Sequence, residues 1–100
     1  MAVKVLISRQ FKKDKIDQAF QLLMELRSTV TLQPGYIFGQ TLVGADDPNK
    51  VLVIGTWTAR KRWEDWKGSE KRKDFSERLE PFLEGPEVVD IYLSGEEASP

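Results

Sequence analysis

The period at which apolar residues recur changes along this chain, and the order of those changes restricts the fold more than any single motif does. Val3, Val5 and Ile7 alternate with Lys4, Leu6 and Ser8, the period of two expected of a strand. Ile16, Ala19, Phe20, Leu23, Leu26 and Val30 then recur at intervals of three and four, which gathers them on one stripe of a helix. Asp14, with Asp17 three residues on, is placed to cap its start, and Pro34-Gly35 ends it. Tyr36 to Val43 and Lys50 to Thr58 are two strands joined by the turn cluster Ala45-Asp46-Asp47-Pro48-Asn49, which implies an antiparallel hairpin. Helical spacing returns from Ala59 to Leu83, with a break expected near Gly68-Ser69. Gly85-Pro86 stops it, and Val88 to Leu93 forms a last strand.

The order β-α-β-β-α-β predicts an α+β, ferredoxin-like domain over residues 1–93: one antiparallel sheet with helices on one face. Residues 94–100 are expected to be a polar, acidic tail. Helices on one face leave a problem, because the strands are apolar on both. Val51, Val53 and Trp57 alternate with Leu52 and Ile54, and Val88 and Tyr92 alternate with Val89, Ile91 and Leu93. A chain of 100 residues has no second layer to spare. Either two copies pack sheet to sheet as a homodimer, or a monomer keeps a greasy open face; the dimer removes more apolar surface from water.

Two zeros in the composition narrow the chemistry: the chain has no histidine and no cysteine. Zinc, haem-thiolate and iron–sulfur sites draw on those residues, so no metal site is expected. Ser-His-Asp and Cys-His catalysis and disulfides are excluded within one chain. The N-terminal segment lacks the form of a signal peptide, and the uncharged run Ser28 to Ala45 is too polar and too broken to span a membrane. A cytoplasmic protein is the resulting expectation.

The net charge of −1 bears on nucleic acid. Arg60-Lys61-Arg62 and Lys71-Arg72-Lys73 are basic, but acids are interleaved around them. The third strand also lacks the basic, glycine-containing aromatic signature with which RNA modules of this strand order stack bases. Both triplets are expected to be solvated helix faces, and no nucleic-acid or membrane partner is expected. No glycine-rich phosphate loop sits between a strand and a helix.

The most distinctive stretch is Gly55 to Ser69, which holds all 3 tryptophans: Trp57, Trp63 and Trp66. Aromatic walls at a strand–helix junction suit planar ligands, but spacing alone favours the plainer reading that Trp63 and Trp66 anchor a short helix to the sheet. The third strand ending in Trp57, a second aromatic at Trp66, Ser69 after it and the stripe Phe75, Leu79 and Phe82 resemble the antibiotic biosynthesis monooxygenase family over residues 2 to 93. That resemblance implies a dimeric α+β barrel. It also implies oxidation of a quinol-like or polycyclic aromatic small molecule by dioxygen with no metal or organic cofactor, the electrons coming from the ring. A haem-degrading branch of the family uses an Asn, a Trp and a His; here those positions fall on Ser8, Trp66 and a site near Ser76, so two of the three are missing and that activity is not expected.

A pocket between helices and sheet is therefore expected, lined by Ser8, Phe20, Leu23, Met24, Phe38, Trp66, Phe75 and Leu79, for a small aromatic or hydrophobic ligand. Ser8, Arg9, Tyr36 and Trp66 are the candidate catalytic residues, with Ser8 and Tyr36 otherwise satisfied in the sheet and Arg9 otherwise at the surface. The contrary expectation is a non-catalytic dimeric module of the same fold that binds a hydrophobic ligand.

Overall fold

β1 (Val3–Gln10), α1 (Ile16–Val30), β2 (Tyr36–Val43), β3 (Lys50–Trp57), α2 (Arg60–Lys67), α3 (Glu70–Leu79) and β4 (Val88–Leu93) follow one another in a computed structural model that describes residues 1–93. The expected tail lies outside the described residues. The sheet has the order β2-β3-β1-β4, and every neighbouring pair is antiparallel. This is the split βαβ arrangement, α+β and ferredoxin-like: β3 inserts between β1 and β2 and forms the expected hairpin with β2.

β1 is central, which explains its sequence. Val3, Val5, Ile7 and Arg9 are buried under the helices, and they pair with Trp57, Gly55, Val53 and Val51 across β3. The core joins these residues to Ala19, Leu22, Leu23 and Leu26 of α1, Trp63 and Trp66 of α2, and Phe75 and Leu79 of α3. Each large side chain removed from water there contributes about 1.5–3 kcal/mol. Trp57 ties the layers together, edge-on to Tyr36 at 5.1 Å and to Trp63 at 6.0 Å between ring centroids.

The helices differ from expectation at their starts and in one face. Asp14 does not cap α1: it takes a positive φ of 67°, the cap position falls on Lys15, and no side chain bonds the first turn. Asp tolerates that left-handed geometry, so it serves the turn rather than the helix. The break near Gly68-Ser69 is where expected. Ser69 Oγ accepts from Arg72 N at 3.2 Å and donates to the Trp66 carbonyl at 2.7 Å, so one hydroxyl closes α2 and opens α3. The second basic triplet is not wholly solvated, because Arg72 is buried. It lies on the stripe Arg72, Phe75, Ser76, Leu79, whose spacing is that of a packed helix face.

Among the described residues no helix covers the other face of the sheet. Leu6, Leu52 and Ile54 run across its centre, half-buried by their neighbours, and Phe38, Leu42, Val88 and Tyr92 stand exposed around them. Lys4 crosses the same face, donating to Thr56 Oγ1 at 2.9 Å and standing 5.3 Å from the Phe38 ring centroid. No helix among the described residues is long and apolar enough to cross a membrane.

Candidate active site

Beneath α1, between the helix and the sheet, lies a cavity of about 60 Å³. At about 10–15 Å³ for each water it could hold, that is room for roughly five waters, or one aromatic ring. Its roof is the stripe Leu23, Leu26, Arg27 and Val30 of α1; its floor is Val5, Ile7 and Arg9 of β1 with Val53 and Gly55 of β3 and Gly39 and Thr41 of β2; Tyr36, Trp66 and Arg72 complete the wall.

Two facing glycines shape the floor. Gly39 and Gly55 are register partners, and the Tyr36 ring lies over them. A Cβ at Gly39 would run into the Tyr36 hydroxyl, so glycine there gives the phenol its place. Burial raises the Tyr36 hydroxyl above its ordinary pKa, against an opposing pull from Arg27, and keeps it a neutral hydrogen-bond donor at neutral pH.

The polar end of the cavity holds an ion cluster. Glu87, in the turn before β4, accepts from Arg9 Nε on Oε2 at 3.0 Å and from Arg72 Nη2 on Oε1 at 2.9 Å. The side chains of Arg9 and Arg72 are 1% and 4% exposed, that of Glu87 25%. Arg72 also donates through Nη1 to Ser76 Oγ. Two buried cations thus share one carboxylate. Arg9 Nη2 also stands 3.0 Å from Glu87 Oε2, so the edge of the guanidinium that carries Nε and Nη2 faces that carboxylate. Burial lowers the pKa of the Arg9 guanidinium, Glu87 opposes this and Arg72 adds to it. For Glu87 burial acts upward, but attraction to Arg72 and Arg9 outweighs it and holds the carboxyl below its ordinary value.

Of the residues expected to line a pocket, Leu23 and Trp66 do so, and the candidates Arg9 and Tyr36 join them. Ser8 does not. It pairs with Leu52 and Val88 on the open face, and the alternation of β1 turns Arg9 towards the helices instead. Phe38 is also on the open face. A bulge between Tyr36 and Phe38 adds a residue to β2, so Tyr36 shares a face with Gly39 rather than with Phe38. Phe20 packs on the margin of the core, Phe75 and Leu79 lie inside it, and Met24 is exposed on α1; none of the four touches the cavity. Trp63 anchors α2, whereas Trp66 lines the cavity. Arg9 is buried, not at the surface.

Arg72, Gly39, Gly55 and Glu87 are among the contributors that were missed. Arg72 was legible in the helical period of its stripe, and Gly39 and Gly55 in the presence of glycine inside strands. Glu87 follows Pro86 at a strand start and has no local signal. Among the described residues no group of three or more Asp or Glu side chains is arranged to hold a metal ion.

A family model for antibiotic biosynthesis monooxygenases matches residues 2–78. No curated protein matches the chain. Solved structures match closely in shape: a conserved protein from Methanosarcina mazei Go1 (18% identity, 92% of this chain and 91% of that one, TM-score 0.86) and Rv0793 from Mycobacterium tuberculosis (15%, 94% and 95%, 0.85). A third is SnoaB, a cofactor-independent oxygenase from Streptomyces nogalater (12%, 93% and 92%, 0.84). At these identities the structures establish the fold. The family model, spanning most of the chain and ending just short of the core residue Leu79, establishes more: this chain belongs to the antibiotic biosynthesis monooxygenase family.

Proposed function

We propose that this chain is a cofactor-independent monooxygenase acting on a small electron-rich aromatic, at the quinol end of the quinol-like and polycyclic range. The observation that carries this reading is the cavity beneath α1, apolar over most of its wall, bordered by Trp66 and Tyr36 and sized for about one ring. The cofactor-independent oxygenase among the structural neighbours points the same way.

Such a reaction balances without a redox group in the protein. A hydroquinone and dioxygen go to a hydroxyquinone and water: one oxygen atom bonds to ring carbon, the other leaves as water with two hydrogens from the substrate, and the ring supplies four electrons. The protein's part is to exclude water, hold the ring and offer a proton donor. In this reading Leu23, Leu26, Val30, Val53 and Trp66, which line the cavity, serve the first two, and the neutral Tyr36 hydroxyl on the same wall serves as the proton donor.

The test is oxygen uptake with a panel of single-ring and bicyclic quinols, read against autoxidation in buffer. The wild-type chain is expected to exceed that background. Gly55→Val, which puts a side chain into the cavity beside Tyr36 and Trp57, should cut the excess by about tenfold or more through misplacement of the ring. Uptake equal to background across the panel, with ligands still bound, leaves the non-catalytic binding module as the function.

We further infer that the chain works as a homodimer joined through the open sheet face. Leu6, Leu52 and Ile54 with exposed Phe38, Leu42, Val88 and Tyr92 make an apolar surface that a second copy would cover. Lys4 and Asp90 put opposite charges on that same face, as a two-fold contact can use. Light scattering should give twice the chain mass of 11.5 kDa for the wild type and a single chain for Leu52→Lys. A wild-type monomer at micromolar concentration removes this reading.

A further inference from the structure

We propose that residues 85–87 form a strap latched by Glu87, and that its release opens the arginine end of the cavity as an entrance for ligand. The inference rests on the cavity being the binding site, and it adds the route by which that cavity fills.

Two observations converge. The first is the thickness of the wall. Arg9 and Arg72 line the cavity, whereas Glu87 and Ser76, to which they are bonded, line an outer groove of about 520 Å³. One layer of paired side chains therefore separates the two spaces, and it is held from the groove side. The second is the attachment of the chain that carries Glu87. Glu84 N donates to the Gln10 carbonyl at 2.8 Å, and pairing with β1 resumes at Val88, opposite Ser8. Between them no backbone hydrogen bond ties Gly85 or Pro86 among the described residues, and a Cβ at Gly85 would meet nothing within 4 Å.

The strap is thus pinned at one point, the Glu87 carboxylate, by charge-assisted bonds of 2.9 and 3.0 Å. A segment with few backbone bonds and open space beside it opens locally while the sheet stays folded. Once the carboxylate lets go, Arg9 and Arg72 lose their shared acceptor and repel each other. Their long side chains can then turn into the groove, where water solvates them, and no backbone of β1 or α3 has to move.

The experiment is fluorine NMR exchange of 4-fluorobenzyl alcohol, a neutral single ring, with the full chain, reading association, dissociation and affinity together. A latch acts on the barrier rather than on the bound state, so both rates should change together while affinity holds within about twofold. Glu87→Gln, which exchanges a charge-assisted latch for a neutral one, should raise both rates about tenfold. Gly85→Ala should lower both about two- to fivefold. Gly85 has no positive φ, and the added methyl removes conformations that the released strap would gain. Should Glu87→Gln not fold, Gly85→Ala decides alone.

Rates that ignore the variants overturn the inference and put the entrance at the other end, where exposed Arg27 and the edge strand β2 border the cavity. Faster dissociation alone, with weaker binding, also overturns it, since Glu87 would then only support the bound state. So does a wild type that does not bind the ring. Exchange is read without turnover. Rates governed by the strap with no oxygen uptake defeat the oxygenase reading alone, and uptake with rates indifferent to the strap defeats the latch alone.

Discussion

Glu87→Ala is expected to destabilise the chain by about 3 kcal/mol in urea denaturation, although it removes a side chain from a turn. Glu87 is the shared counter-ion of two buried cations, and its loss leaves Arg9 and Arg72 close together with no carboxylate between them, Arg72 keeping its bond to Ser76. Removing one partner of a buried ion pair costs about 3–5 kcal/mol, and the lower end applies because Glu87 is itself 25% exposed and water can follow it in. A loss under about 1 kcal/mol would mean that solvent already screens the cluster. The same carboxyl makes stability depend on pH. Its folded pKa is held below the ordinary carboxylate value, so the folded state binds fewer protons there than the unfolded one. The contribution is therefore present above the unfolded value of 4.5 and is lost as pH falls below it through the depressed folded value. Glu87→Gln should flatten this acid limb of the stability profile.

Trp57→Ala should cost about 3–5 kcal/mol, and for a different reason. Trp57 is 1% exposed and sits at the end of β3, where Val3 of β1 and Tyr36 of β2 are its register partners. Its indole meets Tyr36 and Trp63 edge to face. Truncation leaves a void among a strand, a hairpin and α2 that no neighbour can fill without breaking ladder hydrogen bonds, so the cavity penalty adds to the lost transfer energy. Because Tyr36 leans on this indole, ligand affinity should fall with stability. A variant that loses stability but binds ligand as before would show that Tyr36 is held by the facing glycines alone.

Much of this arrangement is written in local spacing. α1 spans Ile16–Val30 and β4 spans Val88–Leu93 as their periods require, and the helical break falls at Ser69. Tyr36 at the start of β2 and Trp66 on α2 were also placed near a ligand by sequence and resemblance. Three misplacements have physical causes. Ser8 was assigned to the cavity on family resemblance although it lies on the mixed face of β1, and strand alternation prevailed. Phe38 was misplaced by a bulge, whose single added residue inverts the facing of everything after it. Arg72 was taken for a solvated helix cation because charge usually is; it sits on an apolar period, and the period was the better guide.

The chain's residue pattern alone determines the elements, their order and the two-faced sheet, because strand and helix periods repeat within four residues and the hydrophobic effect acts on them one face at a time. It also settles that no histidine or thiol chemistry operates within the chain. The ion cluster is of another kind. Arg9 and Glu87 are 78 residues apart and Arg72 and Glu87 are 15 apart, and the three meet where α3 and the turn into β4 close over the end of β1. Whether those charges are screened or left short of a partner depends on which atoms exclude water from them, a property of packing that no local spacing records.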